Sequence, residues 1–243
     1  MSVTPLASAV AALEEFYGTP PPPVTRRPFE LILWENIAYL ASDERRLQAF
    51  EKLRSTIGAE PRDILLATGA QLVNITAHGI LSDQFERKLR EAARLAIDEY
   101  GGSLDDVVHL PTHDAIRALR KFPGIGDPAA EKILLFTADR PFLAPDSNAL
   151  RVMIRIGVIS AQRNYSATYA EARTVSGEQL GGDAAVYLKA HMLLRRHGQT
   201  LCKRSAPACH KCPIRPLCQY AQTTGVTEIM RPPRATKRSR RSE

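Results

Sequence analysis

The chain has 243 residues, 44% of them hydrophobic, enough to bury a substantial core as one large domain or two small interlocked ones. Its 33 Lys and Arg against 26 Asp and Glu leave a formal charge of +7 and a pI near 9.4, a balance that favours a polyanionic partner. No run approaches the roughly eighteen apolar residues of a membrane span, and the start lacks the basic region of a signal peptide, so no membrane association and a cytoplasmic residence are expected.

In chain order, Met1 to Tyr17 reads as an amphipathic helix. Gly18 to Pro28, with four consecutive prolines, reads as an extended linker separating that helix from the body. Helical periodicity then predicts helices near 29–41, 43–57, 61–67, 69–77, 83–100, 112–121, 128–138, 147–156, 166–178 and 183–197. Turn residues mark the joints at Gly58, His78-Gly79, Gly101-Gly102 and Gly181-Gly182, and Thr112 is placed to cap a helix with Asp114 in its first turn. Alternating strand patterns and internal repeats are both missing, so the expected class is all-α. Residues 223–243 form a basic tail. Arg231 to Glu243 holds six Lys or Arg and one Glu, and it is expected to be disordered and to add nonspecific attraction to phosphate.

Three features carry chemistry. All four cysteines, Cys202, Cys209, Cys212 and Cys218, fall in the pattern C-x6-C-x2-C-x5-C, which describes one buried metal centre rather than a disulfide framework. Four thiolates select zinc or an iron–sulfur cluster, and the wide, unequal arms suit a bulky cubane better than the paired short knuckles of zinc sites. Second, Pro123-Gly124-Ile125-Gly126 makes a tight turn between two amphipathic helices. Its glycines would allow positive φ and a close backbone approach, with Ile125 packed inward, Asp127 capping the next helix and Pro128 at its first position. Exposed amides at such a helix start form a phosphate site. Third, two acids stand out. Asp146, between Pro145 and an apolar helix, is a natural N-cap. Glu35 shares its helix face with Leu31, Trp34, Ala38 and Tyr39, and desolvation there should raise its pKa toward that of a general acid.

The runs Leu119 to Gly126, His191-Met192-Leu193-Leu194 and His197-Gly198-Gln199, together with the cysteines and Pro207, Pro213 and Ile214, resemble the endonuclease III branch of the helix-hairpin-helix DNA glycosylase superfamily. The resemblance spans about residues 29 to 220. It implies a two-lobed fold with a 4Fe–4S cluster on the four cysteines. One lobe would be a six-helix barrel over 43–153 that includes the hairpin at about 112–138; the other would be a cluster domain from 29–42 plus 154–222, and residues 1–28 would precede both. The implied partner is double-stranded DNA carrying a lesion or mismatch, bound by a monomer associated with the nucleoid. The implied activity is excision of a damaged or mispaired base.

By the same resemblance, Asp146 is the aspartate that stabilises the sugar as the glycosidic bond breaks. Glu35 falls where the adenine glycosylase branch carries its catalytic glutamate. Bifunctional members carry a lysine two residues after the hairpin's second glycine; here Pro128 stands there, which implies a monofunctional enzyme. Lys132, one turn further on, is the alternative nucleophile, and loss of the chemistry altogether is the other alternative. Pro123, Gly124, Ile125, Gly126 and Lys121 would meet the DNA backbone. Ile80, Leu81 and Leu40 would fill the gap left by an extruded base, and Lys203 and Arg204 on the cluster loop would engage phosphate.

Overall fold

A computed structural model describes residues 4–38 and 40–223, so Tyr39 and the basic tail beyond Thr223 lie outside the described residues. Among these the chain is helical, with no strand, as the periodicity predicted. No helix is long and apolar enough to cross a membrane.

Helix α1 (Pro5–Tyr17) starts under Thr4, whose hydroxyl accepts from the Ala7 amide, and ends at Gly18 with φ +74°. Leu6, Ala9, Val10 and Leu13 repeat at helical spacing and are buried. They pack on α11 (Tyr165–Leu180) and α12 (Ala184–Thr200). Thr4 donates to the Gln179 carbonyl at 2.6 Å, and Lys189 pairs with Glu14 at 2.9 Å. The prolines separate α1 from α2 along the chain, and α1 itself is part of the main core.

Helix α2 (Pro28–Asn36) is shorter than the predicted 29–41. Leu40 sits at φ +56°, a left-handed conformation that no helix can accommodate, and the chain turns there into α3 (Asp43–Thr56) under the Ser42 cap. Then follow α4 (Pro61–Leu66), α5 (Gly69–Thr76) and the long α6 (Ser82–Tyr100), whose Phe85, Leu89, Ala92, Ala93 and Ala96 form its buried face. Helix α6 packs on α2, α4 and α5. Helix α7 (Asp105–His109) was not predicted, because five residues are too few to establish a period.

Helices α8 (Thr112–Leu119) and α9 (Asp127–Thr137) flank the hairpin. Ile125 is 6% exposed and Phe122 is buried, so the turn is bolted to the core from inside. Three local expectations are corrected. Thr112 is the first helical residue and Pro111 holds the cap position. Gly126 caps α9, with Asp127 inside its first turn and paired to Arg120 at 3.2 Å. Only Gly124 has positive φ (+76°); Gly126 is extended at φ −96°.

Helix α10 (Ser147–Ile156) packs on α11 and α12. At the α10–α12 contact a Cβ on Gly198 would lie 2.6 Å from the Asn148 carbonyl oxygen, so only glycine permits this approach. Two 3₁₀ turns and the short α13 (Gln219–Thr223) close the cysteine-rich segment.

The two hairpin glycines should therefore respond differently to substitution. A Cβ at Gly124 would stand 2.4 Å from Asn36 Oδ1 on a left-handed backbone, whereas at Gly126 its nearest neighbour is the Pro128 ring at 3.9 Å. Gly124→Ala should lower stability by about 2 kcal/mol or more, and Gly126→Ala should stay within about 0.5 kcal/mol of wild type. Urea denaturation of the two variants checks this.

Candidate functional site

The hairpin is held by a residue that the sequence did not single out. Asn36, the last residue of α2, donates through Nδ2 to the Ile32 carbonyl at 3.0 Å and to the Pro123 carbonyl at 2.9 Å. Helix α9 then begins without any side-chain cap, so its first amides remain open to an anion. Lys121, expected to reach phosphate, is exposed and paired with Glu99 at 2.5 Å.

Asp146 caps α10 through Oδ1, which accepts from the amides of Asn148 and Ala149 at 2.9 Å each. Its Oδ2 lies 3.0 Å from Arg195 Nε, and the side chain is 26% exposed. Burial opposes ionisation, but the Arg195 guanidinium and the Ala149 amide outweigh it and hold the carboxyl below its ordinary range. The same Arg195 grips Asp43, at the start of α3, with both terminal nitrogens, one of them 2.8 Å from Oδ1. Gln199 adds a hydrogen bond to Asp43 at 3.0 Å. One guanidinium thus joins α3, α10 and α12.

Glu35 and Lys132 meet. Lys132 Nζ is 2.6 Å from Glu35 Oε1, and each side chain is only 16% exposed. Burial pushes the Glu35 carboxyl up, as expected, but the Lys132 ammonium outweighs that effect and the net shift is downward. The expectation of a raised pKa is corrected: in this arrangement Glu35 is an anion. Beside them His191 donates its Nδ1–H to the Ala144 carbonyl at 2.8 Å, and burial holds it neutral with a pKa of about 4. Lys132, His191 and Arg195 line a cavity of about 420 Å3 with Trp34, Phe136 and the prolines of the 18–28 linker.

The expected wedge residues are all at the surface. Ile80 and Leu81 are half exposed and Leu40 is 73% exposed. Leu40 and Leu81 are also among the few non-glycine residues with positive φ, at +56° and +57°. An apolar, left-handed, solvent-facing leucine is unfavourable twice over, a pattern that clusters at functional loops.

Cys202, Cys209, Cys212 and Cys218 all line one cavity, with His197, Arg155 and Ile214 around them. No disulfide joins them. Among the described residues no three Cys, His, Asp or Glu side chains stand close enough to hold a single metal ion. Arg155 donates to Cys202 Sγ at 3.3 Å, and its other bonds, to the Lys203 and Arg204 carbonyls at 2.8 and 3.1 Å, brace the loop while the Lys203 and Arg204 side chains stay exposed. Tyr17 hydroxyl meets His197 Nδ1 at 3.0 Å, and His197 Nε2 lies 3.4 Å from Cys212 Sγ. Arg155, like Arg195 and Asn36, was not anticipated: each is an ordinary polar residue in a helical pattern, and only its long-range partners distinguish it.

No family model matches the chain. It is 23% identical over 202 residues to an endonuclease III of Thermotoga maritima, covering 83% of this chain and 87% of that one. It is 34% identical over 105 residues to an endonuclease III of Rickettsia prowazekii, covering 43% and 46%. A protein of Methanocaldococcus jannaschii, provisionally named a DNA repair glycosylase, is 28% identical over 133 residues, covering 54% and 58%. The alignments with the last two thus span about half the length of those relatives. Among solved structures, a trapped endonuclease III–DNA covalent intermediate matches with a TM-score of 0.73 at 20% identity, over 92% of this chain and all of that one. A thermostable thymine-DNA glycosylase matches with a TM-score of 0.71 at 20% identity, over 90% of this chain and 97% of that one.

The Arg195 clasp has a pH signature. Asp146 and Asp43 both ionise below their ordinary 3.8. The stability they contribute is therefore complete above that value and lost as pH falls through their lower folded-state pKa values. In Arg195→Met both carboxyls should move up toward or past 3.8, so the acid-dependent loss should shrink or vanish and the two proteins should differ less at pH 3 than at pH 7. At pH 7 the variant should be less stable by about 2 kcal/mol, a figure discounted from fully buried pairs for partial exposure. Urea midpoints between pH 7 and pH 3 check both statements.

Proposed function

We infer that this chain is a member of the helix-hairpin-helix DNA glycosylase superfamily and a base-excision DNA glycosylase acting as a monomer on lesion- or mismatch-bearing duplex DNA. The observation that carries this reading is the ionised Asp146, fixed at the α10 N-cap by Arg195 and still partly open to solvent. Arg195 keeps this carboxylate charged against the burial that opposes its ionisation. Positive charge developing on a deoxyribose would be stabilised by such a preorganised anion, without reorganisation cost at the moment of reaction.

The DNA would lie between a barrel lobe, about 43–153, and a lobe formed by 29–42 with 154–222. The hairpin at Pro123, Gly124, Ile125 and Gly126 binds backbone phosphate through the uncapped start of α9. Ile80, Leu81 and Leu40 enter the stack as the target is extruded, the exposure of all three and the left-handed backbones of Leu40 and Leu81 supporting that role. Lys203 and Arg204 add phosphate contacts from the braced loop.

The reaction is hydrolysis. The bond from C1′ to the base nitrogen breaks, a water molecule adds its oxygen to C1′ beside the Asp146 anion, and the proton that water releases is balanced by the one the departing base takes up from solvent. Pro128 offers no amine for a Schiff base, and Lys132 is committed to Glu35 at 2.6 Å. Glu35 then serves as the anion that holds Lys132 in place rather than as a resting proton donor. The product is an abasic site.

The four cysteines would hold a 4Fe–4S cluster. They line one cavity, and the six- and five-residue arms of their spacing suit a multi-iron core better than the paired short knuckles of zinc. Such a cluster, ligated only by protein thiolates, supplies structure: it fixes the loop carrying Lys203 and Arg204.

A panel of duplexes carrying modified and mismatched bases tests the activity. Asp146→Asn should lower single-turnover excision by about 10²- to 10³-fold on the preferred duplex; equal rates for both proteins would overturn the assignment. Borohydride should trap no covalent DNA adduct with wild type, and an adduct lost in Lys132→Ala would make the enzyme bifunctional. Iron and sulfide analysis should find a 4Fe–4S complement that disappears in Cys212→Ala; stoichiometric zinc would refute the cluster.

A further inference from the structure

A second cleft opens beside the hairpin and has no part in the chemistry above. Asp127, Pro128 and Glu131 of α9 face Tyr165, Tyr169 and Arg173 of α11 across about 470 Å3, within the range of sites that take small organic groups. It lies on a different face of α9 from the Lys132 cavity, because positions 132 and 136 are turned by roughly a quarter of a revolution from 128 and 131.

Its wall is aromatic and braced. The rings of Tyr165 and Tyr169 stack with centroids 6.2 Å apart and planes 21° from parallel. Tyr169 is buried and donates its hydroxyl to Glu131 Oε2, while Arg173 binds Glu131 Oε1 and lies over the Phe142 ring at 4.7 Å. The buried Glu131 charge is thereby answered inside the wall, and Asp127 is answered by Arg120. Neither acid offers an uncompensated charge to a polyanion. Tyr165, at 49% exposure, lines the cleft with part of its ring open to solvent. Its phenol is pushed up by burial and by the negative charge of Asp146, so the two groups lie within electrostatic reach of each other.

We propose that this cleft is a nucleobase subsite in which Tyr165 stacks on a base everted from the strand whose backbone the hairpin holds. The proposal rests on the DNA glycosylase reading and adds to it a substrate contact that the hairpin, Asp146 and the wedge do not provide. Continuity with the hairpin selects the occupant, since Asp127 and Pro128 belong at once to the phosphate-binding helix start and to the cleft wall. Stacking requires only a π face, so the subsite accepts any base, and Tyr169 behind Tyr165 keeps the platform from yielding.

The test needs no knowledge of the lesion. Three duplexes are compared by fluorescence anisotropy: one with a single bulged 2-aminopurine, the same bulge with a tetrahydrofuran abasic residue, and a fully paired control. An unpaired bulged base costs little to evert. Wild type should bind the 2-aminopurine bulge more tightly than the abasic bulge. Tyr165→Ala should lose about 5- to 150-fold on the former and stay within twofold on the other two, while Tyr165→Phe should behave as wild type. Because Tyr165 lies at the surface, its thermal unfolding midpoint serves only as a check that the fold persists. Retention of the base preference in Tyr165→Ala, an equal loss on all three duplexes, or no such preference in wild type would each overturn the proposal. Failure of wild type to bind any of the three would instead sink the glycosylase reading itself.

Discussion

Charge compensation in a partly dry cleft is the constraint on which this molecule turns. Three carboxylates, Asp43, Asp146 and Glu35, have pKa values that burial pushes up and that two cations, Arg195 and Lys132, bring back below their ordinary range. Arg195 is the more consequential. By holding the start of α3 and the cap of α10 from a position on α12, it gives distant parts of the chain a fixed relative geometry. A guanidinium suits this role because its five donors lie in a rigid planar fork, so it can hold two carboxylates at once in fixed directions.

The hairpin obeys the same logic with backbone groups in place of charges. Asn36 ties the Pro123 carbonyl to the end of α2, Ile125 anchors the turn from below, and the first amides of α9 are left unspent. Helices α10 and α12 contrast with it, since an aspartate satisfies the starting amides of each. A capped and an uncapped helix start therefore stand in one molecule, one presenting an anion of its own and the other open to an anion from outside.

The cysteine segment belongs to the same frame. His197, buried and neutral with a pKa of about 4, connects Cys212 to Tyr17 of the first helix. Arg155 connects Cys202 to the loop backbone, and Cys218 contacts the Arg155 carbonyl. These links make the C-terminal segment and α1 two parts of one wall. That explains why α1 docks tightly even though four prolines separate it from α2.

Much of this was legible in the residues alone. The helical periods, the C-x6-C-x2-C-x5-C spacing, the glycine turn and Asp146 after Pro145 are local patterns, and local patterns follow from backbone geometry that a few neighbouring residues determine. The end of α2, the Gly126 cap and the missed α7 show where such patterns lose precision, at element boundaries and in elements shorter than a period. The ionisation of Glu35, the clasp of Arg195, the hold of Asn36 on Pro123 and the braced tyrosine wall of the second cleft were decided only in three dimensions. Each depends on groups many tens of residues apart, and the sign of a pKa shift is set by whichever partner packing delivers. Desolvation of Glu35 could be read from Trp34 and Ala38 beside it; the ammonium that reverses its effect arrives from α9, about a hundred residues on.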